Sequence, residues 1–204
     1  MIYRTFKILA LLIVKPICRL AWNKKYLRGR HFEQSTRGWR WAWRGFWLQK
    51  VLGFNRHVPW PCSPFIHVFH PEGIEFDVDD LNNFQTFGCY YANAPGGRIA
   101  IGKGSYIAPN VGIISANHDP RDPSQMLEPK AVVIGKSCWI GMNAVILPGV
   151  TLGSHSVVGA GSVVSTSFRR GYGVLVGVPA RVSLTYPLPE PGGEQRDAEE
   201  ARGE

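Results

Sequence analysis

Aliphatic residues recur every six positions through the second half of the chain. The series consists of Ile134, Ile140, Ile146, Leu152, Val158 and Val164. A glycine follows the aliphatic residue at 135, 141, 153 and 159. Small or β-branched residues lie four positions after it: Cys138, Ala144, Val150, Ser156 and Ser162. Neither the helical period nor the strand period explains this spacing. The pattern predicts a coil of very short parallel strands, in which successive turns share one apolar interior.

The same spacing extends toward the N-terminus and is interrupted once. Ile101, Ile107 and Ile113 fit a second phase, which stops after Asn117 and resumes at Ile134. Residues 119–131 contain three prolines and predict a loop that leaves the coil. Loops on a rigid scaffold often carry function, so His118, which immediately precedes this loop, is the first candidate for chemistry. The other five histidines have no comparable context.

Residues 65–95 predict an irregular start to the coil. A six-residue phase is continued by Ile66, Val78, Phe84 and Tyr90. The acidic stretch 75–80 carries four carboxylates. Charge runs of this kind are usually solvated, so we expect these carboxylates at a strand edge facing water.

The first 60 residues have a different pattern. Apolar residues at helical spacing predict an amphipathic helix over 1–22: Ile2, Phe6, Leu9, Ile13, Ile17 and Leu20. The uninterrupted apolar run from Ile8 to Val14 has seven residues, which is too short to span a bilayer. We therefore divide the chain into a basic N-terminal segment (1–60), a repeat domain (61–186) and a disordered tail (187–204).

Charge is concentrated in the N-terminal segment. The net charge is +8, and residues 1–60 carry thirteen Lys and Arg against a single acid, Glu33. Six of the seven tryptophans also lie there. Basic and tryptophan-rich helices suit an anionic membrane surface, but they also suit a helical cap packed on the coil or between subunits, and both interpretations stay open. No nucleic-acid recognition module is visible, so nucleic acid is not an expected partner.

Four motifs resemble the hexapeptide-repeat acyltransferases: Cys138–Gly141, Leu147–Val150, Val158–Val164 and Gly177–Arg181. The resemblance covers about residues 65–186 and is strongest to the maltose, galactoside and Nod-factor O-acetyltransferases and to the polysaccharide O-acetyltransferases. It implies a mainly β fold, a left-handed parallel β-helix. It also implies transfer of an acetyl group from acetyl-CoA to a hydroxyl of a sugar or polysaccharide precursor. The family's CoA groove lies between subunits, so a homotrimer is expected.

The resemblance assigns His118 as general base. Transfer to a hydroxyl requires loss of the hydroxyl proton, and an imidazole is suited to accept a proton near neutral pH. Asp119 or Glu128 could orient the imidazole, although a backbone carbonyl can also do so in this family.

The remaining implied contacts divide between acceptor and donor. Asn83, Asp119 and Trp139 are expected to contact the acceptor, although Asn83 could instead be a turn asparagine in a ladder. The oxyanion and CoA contacts are expected from Gly141, Met142, Ala160, Ser165, Thr166 and Arg181. Backbone amides can hold the oxyanion, which allows Met142 at that position.

Several alternatives remain. The four cysteines form no C-x-x-C pair and match no zinc spacing. The same fold builds a zinc carbonic anhydrase, but no histidine follows His118 until His155, so we expect no metal. Other candidates are an antibiotic or amino-acid acetyltransferase and a non-catalytic, membrane-associated scaffold. We expect a cytoplasmic protein, with peripheral contact to the inner face of the cell membrane as the further possibility.

Overall fold

A computed structural model describes residues 2–188, with side chains described from residue 12 onward. The N-terminal segment forms three α-helices: α1 (Ile2–Ala21), α2 (Arg30–Glu33) and α3 (Arg37–Gly45). A π-helical turn (Phe46–Val51) continues α3. Short 3-10 helices occupy Lys24–Tyr26, Pro71–Gly73 and Val78–Phe84. The predicted N-terminal helix is therefore present.

The rest of the described chain is built from short strands in three sheets. The first sheet contains β1 (His67–Phe69), β3 (Tyr90–Ala92), β6 (Gly112–Ile114), β11 (Val145–Ile146) and β14 (Val163–Val164). The second contains β2 (Ile74–Phe76), β4 (Ile99–Ile101), β9 (Val132–Ile134) and β12 (Thr151–Leu152). The third contains β5 (Tyr106–Ile107), β10 (Trp139–Ile140), β13 (Ser156–Val158), β15 (Gly173–Gly177) and β16 (Ala180–Thr185). A separate hairpin joins β7 (His118–Asp119) to β8 (Asp122–Met126).

Strand pairing follows the hexads. Val145 pairs with Val163 and Trp139 with Val157, so partners lie eighteen residues apart, which is three hexads. Consecutive strands from β9 to β14 therefore fall in the second, third and first sheets in turn. The sheets are parallel except for the final pair, β15 and β16. The expected mainly β fold with parallel sheets is confirmed.

The hexad residues fill the interior. All six aliphatic residues of the regular series are buried, and so are the small residues four positions after each of the first five. Glycine follows the aliphatic residue because backbones approach closely at the corner. A Cβ on Gly135 would lie 2.5 Å from the amide nitrogen of Ser154, a distance at which something must shift.

The helical segment packs against one end of this core. Trp22 and Trp39 are buried, and the Trp22 indole donates to the carbonyl of Ala42 at 3.2 Å. Trp60 is fully buried, with its ring 5.2 Å from Tyr26 and 5.1 Å from Phe84. This part of the segment thus packs against the β region through a shared aromatic core.

Two expectations for residues 65–95 are wrong. Tyr91 rather than Tyr90 points inward, because the irregular turns displace the phase by one residue. Asp80 is not solvated: its side chain is buried, and its carboxylate accepts from the Gly104 amide at 2.6 Å and lies 3.4 Å from the Arg30 guanidinium. A basic residue of the helical segment thus pairs with an acid of the coil.

The loop at 119–131 does leave the sheets, but it begins with the β7–β8 hairpin rather than with irregular chain. The expected tail lies mostly outside the described residues, which end at Leu188. Within residues 2–188, no helix is long and apolar enough to cross a membrane. No group of three metal-ligating side chains occurs in that part of the chain either.

Candidate active site

Both ends of the loop at 119–131, which we call the excursion, are fastened near Ser115, directly after β6. The Ser115 hydroxyl accepts from the amide of Ala94 at 2.8 Å, and its carbonyl accepts from Lys130 at 2.7 Å. Two residues after Ser115, the Asn117 carbonyl accepts from the amide of Leu127 at 2.8 Å. His118 follows directly and pairs with Met126 across the hairpin. The hairpin therefore holds the His118 backbone outside the apolar interior, and the residue is exposed.

His118 lines a cavity of about 380 Å³ between the hairpin and the edge of the first sheet. Phe69, Tyr90 and Met126 contribute apolar wall, while His70 and Asn93 contribute polar groups. Ligand cavities typically combine mainly apolar walls with a few convergent polar groups. This cavity fits that description.

The side-chain oxygen of Asn93 is a hydrogen-bond acceptor without a partner among the described residues. The Asn93 side chain is only 2% exposed, and its Nδ2 donates to the carbonyls of His70 at 3.0 Å and Gly97 at 3.1 Å. Its Oδ1 is buried and has no hydrogen-bond partner among the described residues. Leaving a buried acceptor unpaired costs free energy, so an unpaired oxygen of this kind in a native structure calls for an explanation. Asn93 is not among the site residues predicted from the sequence.

His70 is a second cavity residue that is not predicted from the sequence. Its backbone is left-handed, with φ of +46°, and its Nδ1 lies 3.1 Å from the Glu72 carboxylate. Its carbonyl holds the Asn93 amide. Non-glycine residues in this conformation are uncommon and cluster at functional sites. His70 thus contributes both a side chain and a backbone contact to the cavity.

The two carboxylates expected to orient His118 are not bonded to its ring among the described residues. Asp119 accepts from the Arg121 guanidinium at 2.8 and 3.1 Å and from the Arg121 amide at 2.9 Å. These bonds hold the pKa of Asp119 below its ordinary value. Glu128 is exposed. The structure therefore places both carboxylates near the excursion without bringing either to His118.

Asn83 does not join the cavity. Its side chain is buried, its Nδ2 donates to the Ser105 carbonyl at 2.8 Å, and its Oδ1 accepts from the Ile107 amide at 3.0 Å. Both ends of the amide are thus used by the backbone of the next turn. This is the ladder arrangement rather than an acceptor contact.

None of the remaining predicted contacts lines the His118 cavity. Trp139, Gly141, Met142, Ala160 and Arg181 lie on or beside the third sheet, whereas Ser165 and Thr166 follow β14 of the first sheet. Trp139 is 58% exposed, and Met142 is also exposed. The Gly141 amide already donates to the Val158 carbonyl at 2.8 Å, so it is not free to hold an oxyanion. The Met142 amide is the candidate that remains.

Residues 131–166 match the family model described as bacterial transferase hexapeptide (six repeats). The protein named "Putative lipopolysaccharide biosynthesis O-acetyl transferase WbbJ" of Escherichia coli (strain K12) is 39% identical over 43% of this chain and 50% of its own length. The galactoside O-acetyltransferase of the same organism is 40% identical over 41% of this chain and 42% of its own. The chain thus spans about half the length of these curated relatives.

Among solved structures, a hexapeptide-repeat-containing acetyltransferase of Vibrio cholerae O1 biovar eltor, complexed with acetyl coenzyme A, matches with 27% identity and a TM-score of 0.49. The match covers 60% of this chain and 66% of that one. The resemblance predicted from the motifs is confirmed: this chain carries the hexapeptide repeat of the bacterial transferases. Its curated relatives include proteins named as sugar and polysaccharide O-acetyltransferases.

Proposed function

We propose that this protein is an acetyl-CoA-dependent O-acetyltransferase that modifies a hydroxyl of a sugar or polysaccharide precursor. The observation that carries the proposal is the shared cavity of His118 and Asn93. It offers a ring nitrogen that can accept a proton and a buried oxygen that lacks a donor. One hydroxyl of the acceptor would give its proton to the ring nitrogen, and a neighbouring hydroxyl would donate a hydrogen bond to the buried oxygen. The names of the relatives support the same chemical class.

In the proposed reaction, His118 removes the proton of the acceptor hydroxyl as its oxygen attacks the thioester carbonyl carbon. The carbonyl oxygen then carries negative charge, which the Met142 amide stabilises. The carbon–sulfur bond breaks, and the imidazolium returns its proton to the leaving thiolate. Asn93 accepts a hydrogen bond from a second hydroxyl of the acceptor and fixes the sugar for attack.

The donor would lie along the third sheet. Val178 exposes apolar surface suited to the pantetheine arm, Arg181 offers a guanidinium to a phosphate, and the exposed Trp139 is assigned to the acceptor. Ala160, which follows β13 of the same sheet, supplies backbone groups, and Ser165 and Thr166 after β14 are the further predicted CoA contacts. These residues do not line the cavity of His118, so we propose a homotrimer in which the third sheet of one subunit faces the cavity of the next.

The fold consistent with this arrangement is a left-handed parallel β-helix. Strand partners three hexads apart and three parallel sheets support a coil with three strands in each turn. We further propose that the protein works in the cytoplasm and touches anionic lipid through the exposed apolar residues of its helical segment.

The test is transfer by wild type and by His118→Ala, using acetyl-CoA and a panel of nucleotide- and lipid-linked sugars read by mass spectrometry. Loss of a general base lowers the rate by about 10²–10⁴. His67→Ala is the matched control, because His67 is exposed on β1 and does not line the cavity. Near wild-type turnover by His118→Ala would overturn the mechanism.

A further inference from the structure

We propose that a second cavity, between the helical segment and the third sheet, binds a phosphate or pyrophosphate group of the acceptor saccharide. The cavity has a volume of about 460 Å³ and is lined by Arg30, His31, Arg37, Trp41 and Tyr106, among others. We call it the basic cavity. This inference rests on the proposed function and narrows it to phosphorylated acceptors, such as sugars attached to a nucleotide or a lipid pyrophosphate.

The two arginines differ in how they are held. Arg30 is fixed: its Nε donates to the Asp79 carbonyl at 2.7 Å, and its Nη2 lies 3.4 Å from the Asp80 carboxylate. Arg37 is exposed, and none of the ion pairs among the described residues involves it. Guanidinium groups bind phosphate through paired, charge-assisted hydrogen bonds. Arg37 therefore offers a charge that is free to bind phosphate, whereas the Arg30 guanidinium is already paired with Asp80.

Aromatic rings complete the basic cavity. The Trp41 ring lies 4.7 Å from the His31 imidazole, which fixes the indole against the wall. Tyr106 is 54% exposed on the opposite element, β5. Binding sites commonly place aromatic surface beside a few polar groups that fix orientation. Rings next to arginines suit a saccharide or nucleobase that carries phosphate.

The position of the basic cavity indicates that its phosphate belongs to the acceptor saccharide rather than to CoA. Tyr106 pairs directly with Trp139, the residue proposed to line the acceptor, so the two exposed rings are neighbours on adjacent strands. Arg181, proposed for CoA, lies on β16 at the opposite edge of the same sheet. Four strand spacings separate the two edges, which is about 19 Å. A CoA phosphate bound at Arg181 would leave the basic cavity to the other substrate.

The test compares Arg37→Gln with Arg40→Gln. Both changes remove one charge from the exposed surface of α3, but only Arg37 lines the basic cavity. Calorimetric titration of each variant with inorganic pyrophosphate and with UDP-glucose, without acetyl-CoA, measures binding independently of transfer. We expect wild type and Arg40→Gln to bind alike. Arg37→Gln should bind about tenfold more weakly, the loss expected for one charge-assisted hydrogen bond.

Kinetics then separate the two sources of phosphate. Arg37→Gln should raise KM for a phosphorylated acceptor and leave KM for acetyl-CoA unchanged. A raised KM for acetyl-CoA instead would assign the cavity to CoA and overturn the proposal. Equal pyrophosphate binding by both variants would also overturn the proposal. A changed sedimentation coefficient of Arg37→Gln would do the same, because it would mean that the cavity is a contact between subunits. Failure of transfer with pyrophosphate binding intact would count against the proposed function alone.

Discussion

The backbone amide of Arg30 donates a hydrogen bond of 2.7 Å to the carboxylate of Asp79, which lies 49 residues farther along the chain. The same aspartate accepts from the Arg30 guanidinium through its carbonyl, and its carboxylate lies 3.3 Å from the Lys103 ammonium. Asp79 therefore joins the helical segment, its own 3-10 helix and the next turn of the coil. It is the polar counterpart of the aromatic contacts that Tyr26 makes with Phe76 and Trp60 makes with Phe84.

Asp79→Asn should destabilise the protein in a pH-dependent way. The Arg30 amide, and after it Lys103, lower the pKa of Asp79 from its ordinary value of 3.8. A lowered pKa in the folded state means that the stabilisation is present above pH 3.8 and is lost as the pH falls through the lowered value. We expect a deficit of about 1 kcal/mol near neutral pH, since water partly screens the carboxylate.

Urea unfolding of wild type and Asp79→Asn at several pH values measures this deficit. Glu128→Gln is the matched control, because Glu128 is exposed and should show no deficit at any pH. A deficit that stays constant from neutral to strongly acidic pH would mean that the carboxylate charge is not what docks the helices.

Gly135→Ala and Gly112→Ala should differ sharply in stability. A Cβ on Gly135 would meet the backbone of Ser154 at 2.5 Å, and that backbone cannot move without breaking the register of two turns. A Cβ on Gly112 would meet only the Val145 side chain at 3.7 Å, which is ordinary contact. We expect Gly135→Ala to cost about 1–3 kcal/mol and Gly112→Ala to be close to neutral. Thermal unfolding followed by circular dichroism compares them, and equal losses would contradict the corner geometry.

The period of six predicted the interior well, because it is a local property repeated many times. Ile134 and Ile140 point inward, as their six-residue spacing predicts, and Cys138 is buried between them. The prediction was weaker where one contact decides the outcome. The sequence indicates that Asp80 is one of several surface acids, whereas in the structure Arg30, fifty residues away along the chain, lies beside it.

The two asparagines show the same limit within the site. Asn83 and Asn93 both lie within residues 65–95 and both are buried, and the residue type alone does not distinguish a ladder residue from a cavity residue. The difference arises from the irregular turn at 65–95, which displaces the phase and brings Asn93 beside His70. His118 is predicted because it stands where the repeat stops after Asn117, which is visible in the sequence alone.

Asn93→Ala and Asn83→Ala should separate binding from stability. Asn93→Ala removes the unpaired acceptor of the cavity, so KM for the acceptor should rise about tenfold while KM for acetyl-CoA stays the same. Asn83→Ala leaves the Ser105 carbonyl and the Ile107 amide unpaired in the interior. It should cost about 1–3 kcal/mol of stability and leave KM for the acceptor unchanged. Steady-state kinetics and urea unfolding of both variants check this, and the opposite pattern would restore Asn83 as the acceptor contact.

The helical segment also exposes large apolar side chains that the packing on the coil does not cover. Leu20 on α1 is 91% exposed, and Leu52 and Phe54 after the π-helical turn are exposed as well. The same helix carries Lys15 and Arg19, whose charged groups lie 5.4 and 5.9 Å from the centre of the Trp39 ring, and residues 1–60 as a whole are basic. Apolar side chains among bases are the combination that binds an anionic lipid surface.

Truncation of the segment would not test this, since it would also remove Trp22 and Arg30 from their contacts with the rest of the protein. Leu20→Ser combined with Phe54→Ser leaves those contacts in place. We expect wild type to sediment with phosphatidylserine-containing vesicles at low salt and the double variant to bind several-fold less. Salt should weaken wild-type binding because it screens the bases. Val178→Ser, which alters an equally exposed residue at the far end of the third sheet, should bind like wild type. If the double variant binds as well as Val178→Ser, the apolar residues of the helical segment do not contact lipid, and the segment serves only as a cap on the coil.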